Sequence, residues 1–379
     1  MKKLSDSIAD LSKLAAGARI GSIDRLRDLE SFGDDPGNLR ARIHVPDSVA
    51  DQPALVVVLH GCTQTAAGYN HGSGWSQLAD EQGFVLLFAE QRRANNPNLC
   101  FNWFQPGDYS RDSGEALSIR QMIDTMIDQY DVDPARIFVT GLSAGGAMTS
   151  VMLATYPELF AGGAIMAGLP YGTASNVSQA LERMRGHGMP APAELGALVR
   201  QASSYRGPWP AISIWHGTAD ATVKPSNADA IVDQWRVLHG VDGTPGTVEI
   251  VDGYPHRIWR DAARRAVIEE YSITGMSHGT PLDTVGEHAC GTAGPFMLET
   301  GISSTRRVAA FWGLSGVRQA EPARSPDAMA AAATAPASRL PVPRTAKLSR
   351  MAEPPKSAAP AQGVGKIIED ALRAAGLMR

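Results

Sequence analysis

Apolar residues along this chain fall into two alternating patterns. Ala54 to Leu59 is an uninterrupted apolar run, typical of a strand that is buried on both faces of a sheet. Ser113 to Tyr130 instead carries apolar residues three and four positions apart, which predicts an amphipathic helix. Together with these two segments, the patterns predict strands at Leu39–Val45, Phe84–Ala89, Ile137–Thr140, Gly163–Met166, Ala211–Trp215, Thr247–Val251 and Val267–Ile273, and helices at Trp75–Glu81, from Ser143 toward Tyr156, at Asn227–His239 and at Ile302–Trp312. Strands that alternate with helices indicate a doubly wound, mostly parallel α/β sheet.

Three segments depart from the alternation. Gly168 to Pro210 holds two predicted short helices, Val177–Arg185 and Ala193–Ser203, and we interpret it as a partial cap inserted over the sheet edge. Residues 1–37 are predicted to form a helical extension with Leu4, Ile8, Leu11 and Leu14 on one face. Residues 318–379 are rich in Ala, Pro and Ser, which is typical of a flexible tail, and they end in a stretch that fits either an amphipathic helix or a frayed end. The catalytic domain would then span residues 38–317.

Composition and charge narrow the class of protein. Apolar content of 44% and charged content of 20% fit a globular enzyme, and a net charge of −4 argues against nucleic acid as the main partner. The tail from Arg318 onward carries ten Lys/Arg and five Asp/Glu, so it is +5 and the remainder is −9. No apolar run reaches the length of a membrane span.

The three cysteines bear on the cellular location. Cys62, Cys100 and Cys290 are an odd number, so at most one intramolecular bridge can form. The N-terminus begins with lysines but lacks the apolar core of a signal peptide, because Asp6, Asp10 and Lys13 interrupt it. We therefore predict a cytoplasmic chain with reduced thiols, although one bridge is compatible with the count.

The most informative motif is Gly141-Leu142-Ser143-Ala144-Gly145, a G-x-S-x-G match between a predicted strand and a predicted helix. That context is the one required by a nucleophile elbow, in which the serine stands on a sharp turn at the carboxyl end of the strand. The alternative is a glycine-rich turn whose serine caps the helix. The strand before it and the helix after it favour Ser143 as the nucleophile of an acyl-transfer reaction.

A serine nucleophile needs an imidazole base and a carboxylate that orients the imidazole, and in this arrangement they follow it in the order acid, then histidine. Asp220 follows the predicted strand Ala211–Trp215 and is the preferred acid, with a simple turn or N-cap role as the alternative. His278 follows the strand Val267–Ile273 and is preferred as base over His288. Of the other histidines, His216 is interpreted as packed near the site and His256 as lying in a turn.

Stabilising the oxyanion requires two backbone amides aimed at one point. One is predicted to be the amide of Ala144, which follows the nucleophile. The other is predicted to be the amide of Cys62, in the loop that begins at Gly61 after the strand Ala54–Leu59. In this scheme the thiol of Cys62 has no chemical role.

Several segments in this order resemble one known family: HGCTQTA, CFNWF, GLSAGGAM, WHGTAD and GMSHGTP. They are similar to the polyhydroxybutyrate depolymerase family of esterases, whose catalytic domain is also similar to feruloyl and acetylxylan esterases. The resemblance covers about Asn38 to Trp312. It implies an α/β-hydrolase fold, the triad of Ser143, Asp220 and His278, and oxyanion amides at Cys62 and Ala144. It also implies that Asn102 and Trp103 line the substrate cleft, although a purely packed role for Trp103 stays open.

The predicted reaction is hydrolysis of poly- or oligo(3-hydroxyalkanoate) esters through an acyl-enzyme, without metal or cofactor. A feruloyl- or acetyl-type carbohydrate esterase is the alternative, and a cleft with several polar groups would favour it over the polyester. A third hypothesis is a non-catalytic protein of the polyester granule surface. The basic tail is predicted to attach the enzyme to such a granule.

Overall fold

The computed structural model of the 379-residue chain describes residues 24–315. The predicted N-terminal helix and the predicted tail helix lie outside these residues. The division of the chain into an extension, a catalytic domain and a tail stays a prediction. No helix within residues 24–315 is long and apolar enough to cross a lipid bilayer.

A ten-stranded sheet forms the centre of the molecule, in the order β1-β2-β4-β3-β5-β6-β7-β10-β9-β8. Its strands are β1 Arg27–Asp28, β2 Arg40–His44, β3 Leu55–Leu59, β4 Val85–Glu90, β5 Ile137–Leu142, β6 Gly162–Met166, β7 Ala211–Gly217, β8 Thr247–Val251, β9 Tyr254–Arg260 and β10 Ala266–Ile273. The six strands from β4 to β10 in this order pair in parallel, while β1, β2, β8 and β9 pair antiparallel at the two edges. A separate pair is formed by β11 Thr280–Leu282 and β12 Met297–Glu299.

Helices cover both faces of the sheet, as the predicted doubly wound fold requires. They are α1 Ala66–Ser73, α2 Trp75–Gln82, α3 Pro106–Tyr109, α4 Gly114–Tyr130, α5 Ala144–Thr155, α6 Val177–Met184, α7 Pro192–Ala202, α8 Ser226–His239 and α9 Ser304–Phe311, with a 3₁₀ turn at Pro157–Leu159. Alternate residues of β3 face the two cores: Val57 belongs to the core that includes residues of α4, α5 and α8, while Val58 belongs to the core that includes residues of α1, α2 and α9. This arrangement confirms the predicted fold class.

Six elements are absent from the predictions, namely the strands β1, β9, β11 and β12 and the helices α1 and α3. α1 was not predicted because its sequence, AAGYNHGS, is interrupted by glycines; Thr65 caps it by accepting a hydrogen bond from the amide of Gly68 at 3.2 Å. The prediction that His256 lies in a turn is wrong, because Tyr254–Arg260 forms β9. Pro255 is tolerated there because it is the second residue of β9, directly after the turn from β8, and the pairing of β9 with β10 begins only at His256.

The segment interpreted as a partial cap contains α6 and α7, close to the predicted limits. α6 begins at Asn176, whose side chain accepts a hydrogen bond from the amide of Gln179. The side chain of Ala180 on α6 belongs to the core that also holds α5. The segment therefore packs against the helix that follows Ser143.

Candidate active site

Ser143 stands on a strained turn between β5 and α5. Its backbone has φ 58° and ψ −115°, a conformation that non-glycine residues rarely adopt. Its amide donates to the carbonyl of Met166 at 2.9 Å, which ties the turn to the end of β6. Although Ser143 occupies the N-cap position of α5, its side chain makes no capping hydrogen bond. The geometry is thus that of an elbow rather than of a helix cap.

The glycines on either side of Ser143 are required by close backbone contacts. A Cβ on Gly145 would lie 2.2 Å from the carbonyl oxygen of Leu59, and one on Gly141 would lie 2.4 Å from that of Gly145. Both contacts are with backbone, which cannot move aside as a flexible side chain could. The G-x-S-x-G spacing therefore lets α5 cross directly against β3.

Asp220 and His278 are joined by a hydrogen bond of 2.7 Å between Oδ2 and Nδ1. They follow β7 and β10, which are neighbouring parallel strands, so their loops meet at the same edge of the sheet as the Ser143 elbow. Both residues are buried. The sequence-based choice of His278 over His288 agrees with this geometry, because His288 is exposed in the loop before Cys290.

Four donors surround the carboxylate of Asp220. Oδ1 accepts hydrogen bonds from the amides of Thr222 and Val223 at 2.8 and 2.9 Å. Nε2 of His216, which donates to the carbonyl of Val223 at 2.8 Å, also lies 3.3 Å from Oδ2. Burial alone would raise the pKa of Asp220, but the hydrogen bonds from His216 and His278 hold it below its ordinary value. Asp220 therefore stays ionised. Its hydrogen bonds with the amides of Thr222 and Val223 also make it a turn residue, which was the alternative interpretation, but it binds His278 as well.

Ser143 and His278 are brought to one edge of the sheet but are not hydrogen-bonded to each other. The Oγ atom of Ser143 makes no hydrogen bond to any side chain or backbone group of residues 24–315. In enzymes without substrate such hydrogen bonds are often long and tighten only when substrate binds. The structure thus joins the acid to the base and leaves the nucleophile half-exposed at a cavity.

That cavity has a volume of about 60 Å³ and lies against Ser143 and Ala144. Its wall is apolar apart from Asn96 and the Ser143 hydroxyl; the remaining lining residues are Cys62, Cys100, Trp103, Phe104, Leu169, Val177, Ala180, Leu181, Met184 and Val223. Four of these residues lie on α6, so the partial cap supplies part of the wall. Cys62 and Ala144, the two predicted oxyanion residues, are in the same wall as Ser143.

The predicted cleft residues divide into two roles. Trp103 lines the cavity and is 7% exposed, with its ring edge-to-face against Phe104 at 5.5 Å between centroids. Asn102 is not among the lining residues. Its amide and its side-chain nitrogen donate to the carboxyl of Glu115, both at 2.8 Å. Asn102 therefore anchors the loop that carries Trp103 to α4 and does not line the cavity.

Cys62 and Cys100 form a disulfide bond, so the prediction of reduced thiols is wrong for this pair. The bridge joins the loop after β3 to the loop that carries Trp103. Sequence counting allowed one bridge, but it gave no means of knowing that two loops 38 residues apart meet at the sheet edge. Cys290 stays a free thiol and is buried.

No group of three His, Cys, Asp or Glu side chains within residues 24–315 is arranged to hold a metal ion. The cavity wall holds the Ser143 hydroxyl together with Cys62 and Ala144, whose backbone amides are the predicted oxyanion donors, and the hydrogen-bonded Asp220–His278 pair lies at the same edge of the sheet. This set is suited to acyl transfer.

Comparisons with known proteins agree with this chemistry. Residues 40–250 match the family model described as esterase PHB depolymerase. The chain is 46% identical over 297 residues to poly(3-hydroxyalkanoate) depolymerase C of Paucimonas lemoignei, a match that covers 78% of this chain and 72% of the relative. It is 33% identical over 264 residues to an acetylxylan esterase of Coprinopsis cinerea, covering 68% and 70%. Among solved structures, an acetyl xylan esterase from Aspergillus awamori superimposes with a TM-score of 0.64 at 27% identity, covering 76% of this chain and 99% of that one.

Proposed function

This chain belongs to the esterase PHB depolymerase family, and from that premise we propose that it hydrolyses poly- or oligo(3-hydroxyalkanoate) esters with a short side chain. It is an esterase with the α/β-hydrolase fold. The observation that carries the substrate proposal is the small apolar cavity beside Ser143. A short aliphatic acyl unit loses little hydration on entering such a wall, whereas a sugar would leave its hydroxyl groups unpaired.

The proposed reaction proceeds through an acyl-enzyme. The Oγ atom of Ser143 attacks the ester carbonyl while Nε2 of His278 takes its proton, and the ionised Asp220 stabilises the imidazolium that forms. The amides of Cys62 and Ala144 donate to the oxyanion. The intermediate then collapses to the acyl-enzyme as the ester C–O bond breaks, and His278 gives its proton to the leaving alkoxide oxygen, which departs as the alcohol. A water molecule, deprotonated by His278, attacks the acyl-enzyme in the same way and releases the free acid and Ser143.

Product analysis on a 3-hydroxybutyrate oligomer, compared with an arabinoxylan ester, tests the substrate proposal. We expect kcat/KM for the oligomer to exceed that for the carbohydrate ester by at least about tenfold, the factor that corresponds to roughly 1.4 kcal/mol in the transition state. The reverse order would favour the carbohydrate esterase alternative. Labelling of wild type, but not of Ser143→Ala, by a fluorophosphonate probe would exclude the non-catalytic granule protein.

The wall contributed by α6 supports a preference for short side chains. Leu181 and Met184 lie on the cavity side of this helix. Leu181→Ala should therefore admit longer acyl chains, raising the ratio of activity on p-nitrophenyl octanoate to that on the butyrate. Ala197→Val on α7 is the matched control, since Ala197 does not line the cavity. An unchanged ratio in Leu181→Ala would show that α6 does not determine the preference for short acyl chains.

The cellular location is part of the proposal as well. The sequence predicts a cytoplasmic enzyme, but the Cys62–Cys100 bridge counts against it because such bonds persist mainly in oxidising compartments. Attachment to a polyester granule through residues 318–379 depends on the charge and composition of that tail alone. Truncation after Val317 should leave hydrolysis of a soluble ester unchanged and reduce turnover of granules. Equal granule turnover would overturn the attachment proposal.

A further inference from the structure

The imidazole of His60 is almost completely buried, at 1% exposure, and takes no part in the triad. It lies directly after β3, at the start of the loop that carries the Cys62 amide. Both of its ring nitrogens have backbone partners. Nε2 lies 3.1 Å from the amide nitrogen of Gln91, and Nδ1 lies 2.8 Å from the carbonyl oxygen of Gly61.

These two partners fix the tautomer of His60. A backbone amide can only donate, so Nε2 must be the unprotonated acceptor, and a carbonyl can only accept, so Nδ1 must carry the proton. Burial lowers the pKa of His60, although the Gly61 carbonyl and the charge of Glu90 act in the opposite direction. The imidazole is therefore a neutral ring that donates from Nδ1 to Gly61.

The carbonyl of Gly61 and the amide of Cys62 belong to one peptide unit. Because this peptide is planar and trans, its C=O and N–H bonds point in opposite directions. Anchoring the Gly61 oxygen on one side thus directs the Cys62 N–H to the other. The amide of Gln64 also approaches the Gly61 oxygen, at the longer distance of 3.3 Å, and closes the turn.

Gln91, whose amide donates to His60, is itself fixed by hydrogen bonds of its side chain. The side-chain nitrogen of Gln91 donates to Glu115 at 2.5 Å and to the carbonyl of Cys100 at 3.0 Å. Cys100 in turn is bonded through its sulfur to Cys62. The peptide that carries the Cys62 amide is consequently fixed at both ends, by His60 through hydrogen bonds and by Cys100 through the disulfide.

We propose that His60 is a positioning residue that aims the Cys62 amide at the oxyanion. The inference rests on the proposed acyl transfer at Ser143, whose cavity wall includes Cys62 and Ala144. An oxyanion donor acts mainly in the transition state, so a misdirected amide lowers kcat while leaving KM almost unchanged. His60 never touches substrate in this arrangement and acts only through the Gly61–Cys62 peptide.

The test compares wild type with His60→Phe, which keeps a ring in the core but removes both hydrogen bonds. We expect kcat for p-nitrophenyl butyrate to fall roughly ten- to a hundredfold, somewhat less than the loss when a donor is deleted outright. KM should stay within about twofold, and the affinity for phenylboronic acid, which places an oxygen in the oxyanion site, should weaken by the same factor as kcat. A soluble ester is used so that a failure to degrade polyester would leave this test intact.

His44→Phe is the matched control. His44 is also buried, on β2, where its Nε2 lies 2.7 Å from Asp80, far from the Ser143 cavity along the sheet. It should lower the melting temperature without changing kcat or the boronic acid affinity. If His60→Phe shows the same pattern as His44→Phe, with kcat unchanged, His60 is merely structural and the proposal is overturned.

A second pair of variants keeps the test decisive if His60→Phe does not fold. His60→Asn places an amide nitrogen close to the position of Nδ1 and can still donate to Gly61, whereas His60→Gln carries its polar group near the position of Nε2. Asn should therefore retain at least about fivefold more kcat than Gln at a similar melting temperature. Equal kcat values, or a higher value for Gln, would contradict the proposal.

Discussion

Nδ1 of His278 lies 2.7 Å from Oδ2 of Asp220, across 58 residues of sequence. The contact exists because β7 and β10 are parallel neighbours, paired from Ile212–Ile268 to Gly217–Ile273, and both continue into loops at the same edge. An imidazole that donates from Nδ1 presents Nε2 as the proton acceptor, which is the state a general base needs.

His278→Ala should be nearly as damaging to esterase activity as loss of the nucleophile, because the serine would lose its only proton acceptor. We expect kcat to fall by at least about a hundred-thousandfold, measured on p-nitrophenyl butyrate. His288→Ala is the control, since His288 is exposed and contributes its backbone carbonyl, not its ring, to a hydrogen bond with Arg306. A larger loss in His288→Ala would move the base to that residue.

Ser143→Ala should lower kcat by on the order of a millionfold while leaving the protein folded, because the members of a triad act as a unit. Ser143→Gly should be equally inactive but at least as stable as the Ala variant, since glycine adopts a φ of 58° without strain. Esterase assays measure the loss of activity, and thermal melts measure the stability of each variant. A variant that keeps a tenth of wild-type activity would show that Ser143 is not the nucleophile.

Trp103→Ala separates the two roles proposed for this side chain. As a cavity residue it should hold an oligomeric substrate, so KM for a hydroxybutyrate oligomer should rise more than KM for p-nitrophenyl acetate, at a nearly unchanged melting temperature. Leu99→Ala, a buried position in the same loop that does not line the cavity, serves as a control for general loosening of the loop. A large fall in melting temperature with equal effects on both substrates would instead assign Trp103 to packing.

The parts of this molecule that sequence reasoning could reach are those encoded locally. The apolar run before Gly61 and the glycines around Ser143 predicted a strand and an elbow, because burial and close packing select those residue types where they stand. The pairing of Cys62 with Cys100 was not accessible in this way, since it depends on where two loops end in space. The same is true of His60, whose tautomer is set by the amide of Gln91, 31 residues away.

The Cys62–Cys100 bridge should stabilise the protein mainly by restricting the unfolded chain. For a loop of this length the expected contribution is about 4 kcal/mol, measured as the loss in free energy of unfolding in Cys62→Ala/Cys100→Ala. Cys290→Ala should cost far less. Alkylation after denaturation should detect one thiol per chain, Cys290, whose pKa is raised to about 11 by burial in the native protein. Three thiols per chain would mean that the bridge is absent.

Glu115 should make the stability of this enzyme fall with rising pH. Burial raises the pKa of Glu115 to about 8, with the charge of Asp108 acting in the same direction and the hydrogen bonds from Asn102 and Gln91 acting against them. Its ordinary value is 4.5, so between pH 4.5 and 8 the folded protein keeps a proton that the unfolded chain releases. The contribution of Glu115 to stability is therefore complete below pH 4.5 and is lost as the pH rises through 8.

Glu115→Gln cannot titrate, and it isolates this effect. The free energy of unfolding of wild type relative to Glu115→Gln should decline on the order of 1 kcal/mol per pH unit within that window and level off above it, as followed by urea denaturation. Glu30→Gln, at an exposed position, should leave the wild-type pH dependence in place. Parallel curves for wild type and Glu115→Gln would show that Glu115 is ionised throughout. The three donors from Asn102 and Gln91 would then outweigh its burial, and the loop that carries Trp103 would be anchored by a charge.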